Sequence, residues 1–228
     1  MMTEVTGKVP EVPAMMDLVR AAGSSHPDFF GYPPVDGGLF LQQDPTEFAQ
    51  FVHFMATERK SADLSLDLGI ASGGQTKFLR DWFKCKKTII LDNGAHPMFP
   101  HWSRIKPMVD SEICLELISD SHAPEVRTAL EPYRNQVDFA FVDGDHSYKG
   151  LRQDIFLVKP LLKDYAVMAL HDTAAVWDCK QVFDDLLRSK DFTLLRNFDN
   201  RFGISLWMRL PRRKPGKWYN HRYGWGRL

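Results

Sequence analysis

Residues 66–76 read LDLGIASGGQT, a short apolar run carrying Asp67, a loop punctuated by Gly69, Gly73 and Gly74, and the polar start of a helix. An apolar run of that length bounded by glycine reads as a buried strand, and glycine lets the backbone turn sharply and come close to a ligand. Working outward, further apolar runs lie at 88–92 (TIILD), 112–118 (EICLELI), 137–143 (VDFAFVD), 165–172 (YAVMALHD), 192–198 (FTLLRNF) and 202–210 (FGISLWMRL). Amphipathic stretches at 75–84, 122–134, 148–162 and 176–189 separate most of them. Seven strands alternating with helices predict an α/β fold with a mainly parallel sheet covered on both faces, because parallel neighbours need crossover connections. Only DNR (199–201) parts the last two runs, which predicts an antiparallel hairpin at one end.

Upstream, residues 11–22 read as a helix and 23–43 as a loop rich in Gly, Pro and aromatics, with Phe29, Phe30, Tyr32 and Phe40, readable as a lid over a site or as a packed wall. Asp44 and Pro45 form an N-cap with proline in the first turn, followed by Phe48, Phe51, Val52 and Met55 at helical spacing. The expected organisation is an N-terminal helix and loop at 1–43, a ligand-binding domain at 44–210, and a tail at 211–228. Of the 228 residues 44% are hydrophobic and 25% charged, a balance that excludes disorder, collagen and coiled coil. The 29 basic and 29 acidic residues cancel, but the tail holds six of the bases and no acid, leaving 23 bases against 29 acids in 1–210. Cys85, Cys114 and Cys179 are an odd number without zinc or redox spacing, which points to a reduced, cytoplasmic setting. The start, MMTEVTGKVPEVPAMMD, lacks the apolar core of a signal peptide, and no run reaches the ~18 apolar residues of a membrane span.

In open sheets of this kind ligands sit beyond the carboxyl ends of the strands. The residues there are Asp67 to Gly74, Asp92, Asp120, Asp143 to His146, and His171 to Thr173. Asp92 follows Gly69 by 23 residues, close to the ~20-residue offset at which an acid receives ribose hydroxyls. The glycine spacing is not that of a dinucleotide fold, and no Lys-Ser/Thr follows as in a phosphate loop. A nucleoside poor in phosphate is the expected ligand.

These residues resemble the class I S-adenosylmethionine-dependent methyltransferases, whose Rossmann-like fold has a first motif matched by Asp67, Gly69 and Gly73 and a ribose acid matched by Asp92. LISDS (117–121) resembles the segment after their third strand, with Asp120 facing the adenine amino group. VDGDHSY and LHDT, within 137–173, resemble O-methyltransferases of sugar and natural-product hydroxyls, related to cephalosporin hydroxylase-like, macrolide-sugar and catechol or caffeoyl-CoA enzymes. The likeness spans roughly 40–210. It implies S-adenosylmethionine as cofactor, held by Asp67, Gly69, Ala71, Ser72, Gly73, Gly74, Thr76, Asp92, Asp120, Ser121 and Asp143. By the same resemblance a divalent metal, Mg²⁺ or Mn²⁺, falls to Asp143, His171 and Asp172, with His171 where relatives carry a carboxylate. Asp145 falls on the base position of the macrolide-sugar enzymes and His146 on the lysine of the catechol enzymes.

An ion there lowers the pKa of an attacking hydroxyl, whereas without one a base must take its proton. Asp145, His146 and His171 are the base candidates, and which of them acts stays open. The expected partner is a small hydroxylated acceptor such as a sugar; relatives are often homo-oligomers. The tail mixes bases with Trp218, Tyr219, Tyr223 and Trp225, which suits nucleic acid. An RNA-binding or RNA-modifying enzyme, or a catalytically silent partner subunit, is the competing reading.

Overall fold

The computed structural model describes residues 8–26 and 29–211. The tail expected at 211–228 therefore lies, apart from Pro211, outside the described residues. One sheet contains β1 (Ser61–Leu68), β2 (Lys84–Asp92), β3 (Glu112–Ile118), β4 (Val137–Val142), β5 (Leu162–Leu170), β6 (Phe192–Phe198) and β7 (Ile204–Arg209). The helices are α1 (Val12–Ala21), α2 (Pro45–Phe54), α3 (Gly74–Trp82), α4 (Trp102–Ile105), α5 (Pro124–Leu130), α6 (Tyr148–Val158) and α7 (Trp177–Leu187). The strand order is β3-β2-β1-β4-β5-β7-β6, with β1 to β5 parallel and β7 antiparallel to both neighbours. The mainly parallel sheet with a closing hairpin forms as the alternation predicts, and β7 slots between β5 and the edge strand β6.

The sheet separates two apolar layers, and the period of two along each strand divides residues between them. Phe139 and Phe141 of β4 enter the layer covered by α1, α2, α3 and α4, while Ala140 and Val142 enter the layer covered by α5, α6 and α7. Val167 and Ala169 against Met168 and Leu170 repeat the division in β5. With both faces covered, β4 from Phe139 to Val142 and β5 from Ala166 to Leu170 are apolar without interruption. β1, β2 and β5 begin before their apolar runs, at residues 61, 84 and 162. Ser61, Asp63, Lys84, Lys86, Lys87 and Asp164 in these extensions are polar and exposed, and here Lys86 pairs with Asp63 and Lys163 with Asp138. Ladder hydrogen bonds come from the backbone, so these turns of strand carry no hydrophobic signal.

Residues 93–111 gave no pattern in the sequence. Pro100 and Pro107 break the segment into 3₁₀ turns at Phe99–His101 and Lys106–Met108 flanking the single turn of α4. At α2 the local signal is plain: the Asp44 carboxylate accepts from the Thr46 and Glu47 N–H groups, with Pro45 in the first turn. The core is continuous across the expected boundary at 43/44. Met15, Val19, Tyr32, Leu39 and Leu41 pack in one cluster with Phe48, Phe51 and Phe139.

Two buried charges hold these elements in place. Glu47, on the first turn of α2, accepts from the backbone N–H groups of Arg201, Phe202 and Gly203, fastening the hairpin turn to the helix. Asp67 on β1, fully buried, accepts from Arg80 Nη2 of α3 at 2.7 Å and from Thr76 Oγ1 at 2.7 Å. Arg80 also donates to Ser65 (2.8 Å) and Thr88 (3.2 Å), so one guanidinium joins α3 to β1 and β2. Removing one member of such a pair strands the other charge in the core. Arg80→Ala is expected to lower the unfolding free energy by about 3–5 kcal/mol, read as a shift of the urea midpoint at unchanged slope; a loss below about 1 kcal/mol would contradict the role given to the pair.

Candidate active site

The carboxyl ends of β1 to β5 open into a cavity of about 780 Å³, at the switch point where strand order reverses between β1 and β4. Its first wall is the loop after β1. Gly69 has φ +77°, and a Cβ there would stand 2.0 Å from the Asp143 carbonyl oxygen, so β1 and β4 approach only because the residue is glycine. At Gly73, φ +79°, a Cβ would meet the Trp102 ring at 2.1 Å. The close approach that these glycines permit is therefore made by the protein itself. Gly69, Ala71 and Ser72 line the cavity; Asp67, Gly73, Gly74 and Thr76 lie beneath it.

Ala71 is held at φ +47°, an uncommon conformation for a residue with a side chain. Asp92 secures it. Its Oδ2 accepts from the N–H of Ile70 at 2.7 Å and of Ala71 at 3.3 Å, and its Oδ1 from Gly94 N–H at 2.7 Å. The end of β2 thereby staples the glycine loop, while the remaining lone pairs of Asp92 are available to the cavity it lines.

On the β3 side the wall is Ser119, Asp120, Ser121 and His122. Asp120, mostly exposed, accepts from His122 N–H at 2.9 Å. Ser121 Oγ donates to Asp154 of α6 at 2.6 Å, and His122 Nε2 lies 3.2 Å from the same oxygen. The other Asp154 oxygen accepts from Asp145 N–H at 3.2 Å. Burial raises the Asp154 carboxyl, opposed by the Ser121 and Asp145 bonds.

Two carboxylates and two imidazoles meet beyond β4 and β5. His146 places Nε2 3.2 Å from Asp143 Oδ1 and Nδ1 3.3 Å from Asp172 Oδ2. His171 Nδ1 lies 3.1 Å from Asp143 Oδ1 and 3.5 Å from Asp172 Oδ2. His171 is 5% exposed, with its ring near Phe141 and Phe202, whereas the His146 side chain is 46% exposed. Burial opposes ionisation of both Asp143 and His171, but their mutual attraction wins. Asp143 is held well below the usual carboxylate range, and His171 is pushed up to about 10. Asp143 also raises His146. Asp172 sits at φ +60°, a strained position at the site.

Of the expected metal ligands, Asp143 and Asp172 are brought together with His146, their ligand atoms within 4.8 Å of one another, while His171, which also lines the cavity but is nearly enclosed, is outside that group. Asp145 accepts from Ser147 N–H at 2.8 Å, which keeps its carboxyl below the usual range, and its carboxyl occupies the space over Gly150. Cys179, buried and beside these acids, is pushed up to about 12 by burial and by their charge.

The facing wall is Phe30, Phe40, Gln42, Gln43 and Phe202. Loop 23–43 is thus both packed wall and cavity lining. Ser72 Oγ bonds the Leu39 and Phe40 carbonyls, Phe40 stacks on His101, and Phe30 meets Phe202 edge-on at 5.6 Å. Gln43 and Gln75 gave no sequence signal and are drawn together here. Gln43 Nε2 reaches Asp143 Oδ2 and Gln75 Oε1, each at 3.4 Å. A carboxylate only accepts, so the amide orientations follow, leaving Gln43 Oε1 and Gln75 Nε2 buried without a protein partner.

Residues 66–173 match the methyltransferase-domain family. The chain carries a class I S-adenosylmethionine-dependent methyltransferase domain. No curated protein matches it. Among solved structures the methyltransferase is similar to the O-methyltransferase TomG of Streptomyces achromogenes, involved in tomaymycin synthesis and solved with S-adenosylmethionine, at 16% identity over 91% of this chain and 93% of that one, TM-score 0.55. It is similar to the 1,6-didemethyltoxoflavin-N1-methyltransferase of Burkholderia thailandensis (12% identity, 92% and 95% covered, TM-score 0.50). It is also similar to an rRNA methylase of Streptococcus thermophilus (16% identity, 72% and 97% covered, TM-score 0.52). These likenesses show the fold; the three proteins differ in what their names say they methylate.

The methyltransferase's cavity fits the cofactor. Asp92, Asp120, Asp143, Asp145 and Asp172 line it, with no Lys or Arg among the described residues, which suits a sulfonium cation. The orphan acceptor Gln43 Oε1 and orphan donor Gln75 Nε2 complement the ammonium and carboxylate of an α-amino acid. Gln75→Leu is expected to weaken S-adenosylhomocysteine about 10-fold or more in calorimetry while leaving 5′-methylthioadenosine, which lacks the amino-acid end, within about 2-fold. Equal losses for both ligands would contradict the assignment.

Proposed function

We propose that this methyltransferase acts on a hydroxyl of a small, polyhydroxylated acceptor, of the sugar or glycosylated-metabolite class, with a divalent ion at Asp143, His146 and Asp172. The convergence of those three side chains on the cavity floor carries the reading. Two carboxylates and an imidazole suit Mn²⁺ at least as well as Mg²⁺. When bound, the ion supplies Lewis acidity that lowers the pKa of the acceptor hydroxyl and orients it. The chain's own residues do the rest. His171, behind the floor, donates to Asp143 and keeps it ionised and aimed. Phe30 and Phe202 offer apolar faces beside the floor, against which the flat side of a sugar or ring can lie.

Neither Asp145 nor His171 is placed as the base in this reading. Asp145 packs over Gly150, and His171 is enclosed. Asp92 and Asp120 hold the nucleoside, and the Gln43–Gln75 pair its amino-acid end. The acid-lined cavity favours a small neutral acceptor over a polyphosphate strand, since among the described residues no Lys or Arg lines it and its imidazoles are paired with Asp143 and Asp172.

The full chain is expected to bind a single Mn²⁺ in calorimetry, with Asp172→Asn weakening it at least about 10-fold while S-adenosylhomocysteine still binds. Methyl transfer from ¹³C-labelled cofactor to hydroxylated acceptors should stop in EDTA and return with Mn²⁺ or Mg²⁺, and the product's methyl shift should be that of an ether. Undiminished turnover in EDTA would sink the metal assignment, and an N-methyl product the hydroxyl one.

A further inference from the structure

Among the described residues Asp154 is the one fully buried carboxylate that touches two walls of the cavity, and the cofactor motifs do not include it. From the middle of α6 it receives the Ser121 hydroxyl on Oδ1 and the Asp145 N–H on Oδ2, with His122 Nε2 also beside Oδ1. Gly144 leaves it room, since a Cβ there would lie 2.8 Å from Asp154 Oδ2. A hydroxyl has one proton. Because Ser121 commits that proton to Asp154 at 2.6 Å, only its lone pairs are free. Next to it, the Asp120 carboxylate is also an acceptor. The Asp120 and Ser121 side chains therefore present acceptors to a base edge.

We propose that Asp154 is a positioning residue that fixes the Ser121 hydroxyl as an acceptor and so makes the site select a purine with a 6-amino group over one with a 6-oxo group. The selection rests on the cofactor reading above, in which Asp120 and Ser121 face the adenine. Adenine offers a donor at its 6-position, whereas hypoxanthine offers a carbonyl oxygen that would face a carboxylate and a lone pair. Sites built around fixed hydrogen-bond roles reject the mismatched partner because polar groups are left unpaired. Asp154→Asn reverses the arrangement. Its oxygen must stay on the Asp145 N–H, so its amide nitrogen turns to Ser121 and frees that hydroxyl to donate into the cavity.

The test is calorimetry on the full chain with S-adenosylhomocysteine and its deaminated analogue S-inosylhomocysteine. The wild type should prefer the adenosyl ligand about 10- to 100-fold. In Asp154→Asn the preference should fall to within about 3-fold, and in Ser121→Ala it should fall part-way. A merely structural role would weaken both ligands by one factor and leave the ratio untouched, which would overturn the proposal. So would an unchanged ratio in Ser121→Ala, the variant that decides the matter if Asp154→Asn does not fold. A wild type that binds neither nucleoside overturns the cofactor reading itself; one that binds both equally overturns only the selectivity.

Discussion

The buried pair between Asp67 and Arg80 is the constraint on which the rest of the molecule hangs. A buried guanidinium needs a counter-charge and partners for its donors; Asp67, Ser65 and Thr88 meet those on Nε and Nη2 from two strands, while Nη1 is left without a partner. Ser111 extends the chain of hydroxyls through Thr88. The pair sets the distance of α3 from β1 and β2, and thereby the span that the loop at 69–73 must bridge. With both ends of that loop fixed, Asp92 can hold its middle in a conformation that Ala71 would not adopt freely. Strain at the cavity wall is thus sustained by charge beneath it.

A second balance of charge organises the floor. Asp143 and Asp172 lie close enough to repel, and two imidazoles relieve that repulsion from opposite sides, one enclosed and one open to the cavity. The enclosed one, His171, is a fixed part of the structure, because losing its proton would leave Asp143 buried without its cation. The open one, His146, is exchangeable: any cation that offers the carboxylates better geometry can share or take its place. The acidic excess of residues 1–210 has this focus, together with Asp92, Asp120 and Asp145 around the same cavity.

The legibility of this chain followed how local each signal is. The strands, the cap at Asp44 and the hairpin were readable because apolar periodicity and turn chemistry are properties of a few adjacent residues. The acids at strand ends were readable as a group because parallel sheets bring those ends together. Their division of labour was not. Asp67 and Asp92 both stand near the carboxyl ends of neighbouring strands, two positions apart in register, yet one is bonded to Arg80 beneath the loop and the other lines the cavity. That difference depends on a partner 13 residues away across a helix. His146 and His171 are likewise indistinguishable by type; only the depth of each loop makes one a wall and the other a surface. Gln43, Gln75, Glu47 and Asp154 act across 32 to 156 residues or through backbone groups, and no motif announces them.

The N-terminal turn of α2 links what the sheet leaves to the variable segments. Gln43 enters the cavity immediately before Asp44 caps the helix, and Glu47, one turn on, grips the backbone of the hairpin that carries Phe202. Two walls that are far apart in the chain therefore move with one helix end. The wall after β1 is fixed by the sheet and by the Asp67–Arg80 pair. The facing wall is fixed by where α2 sits, through a cap, an amide and a carboxylate within five residues. A change in the seating of α2 would shift Gln43 and Phe202 together, and in the reading proposed above it would reach both the amino-acid end of the cofactor and the acceptor.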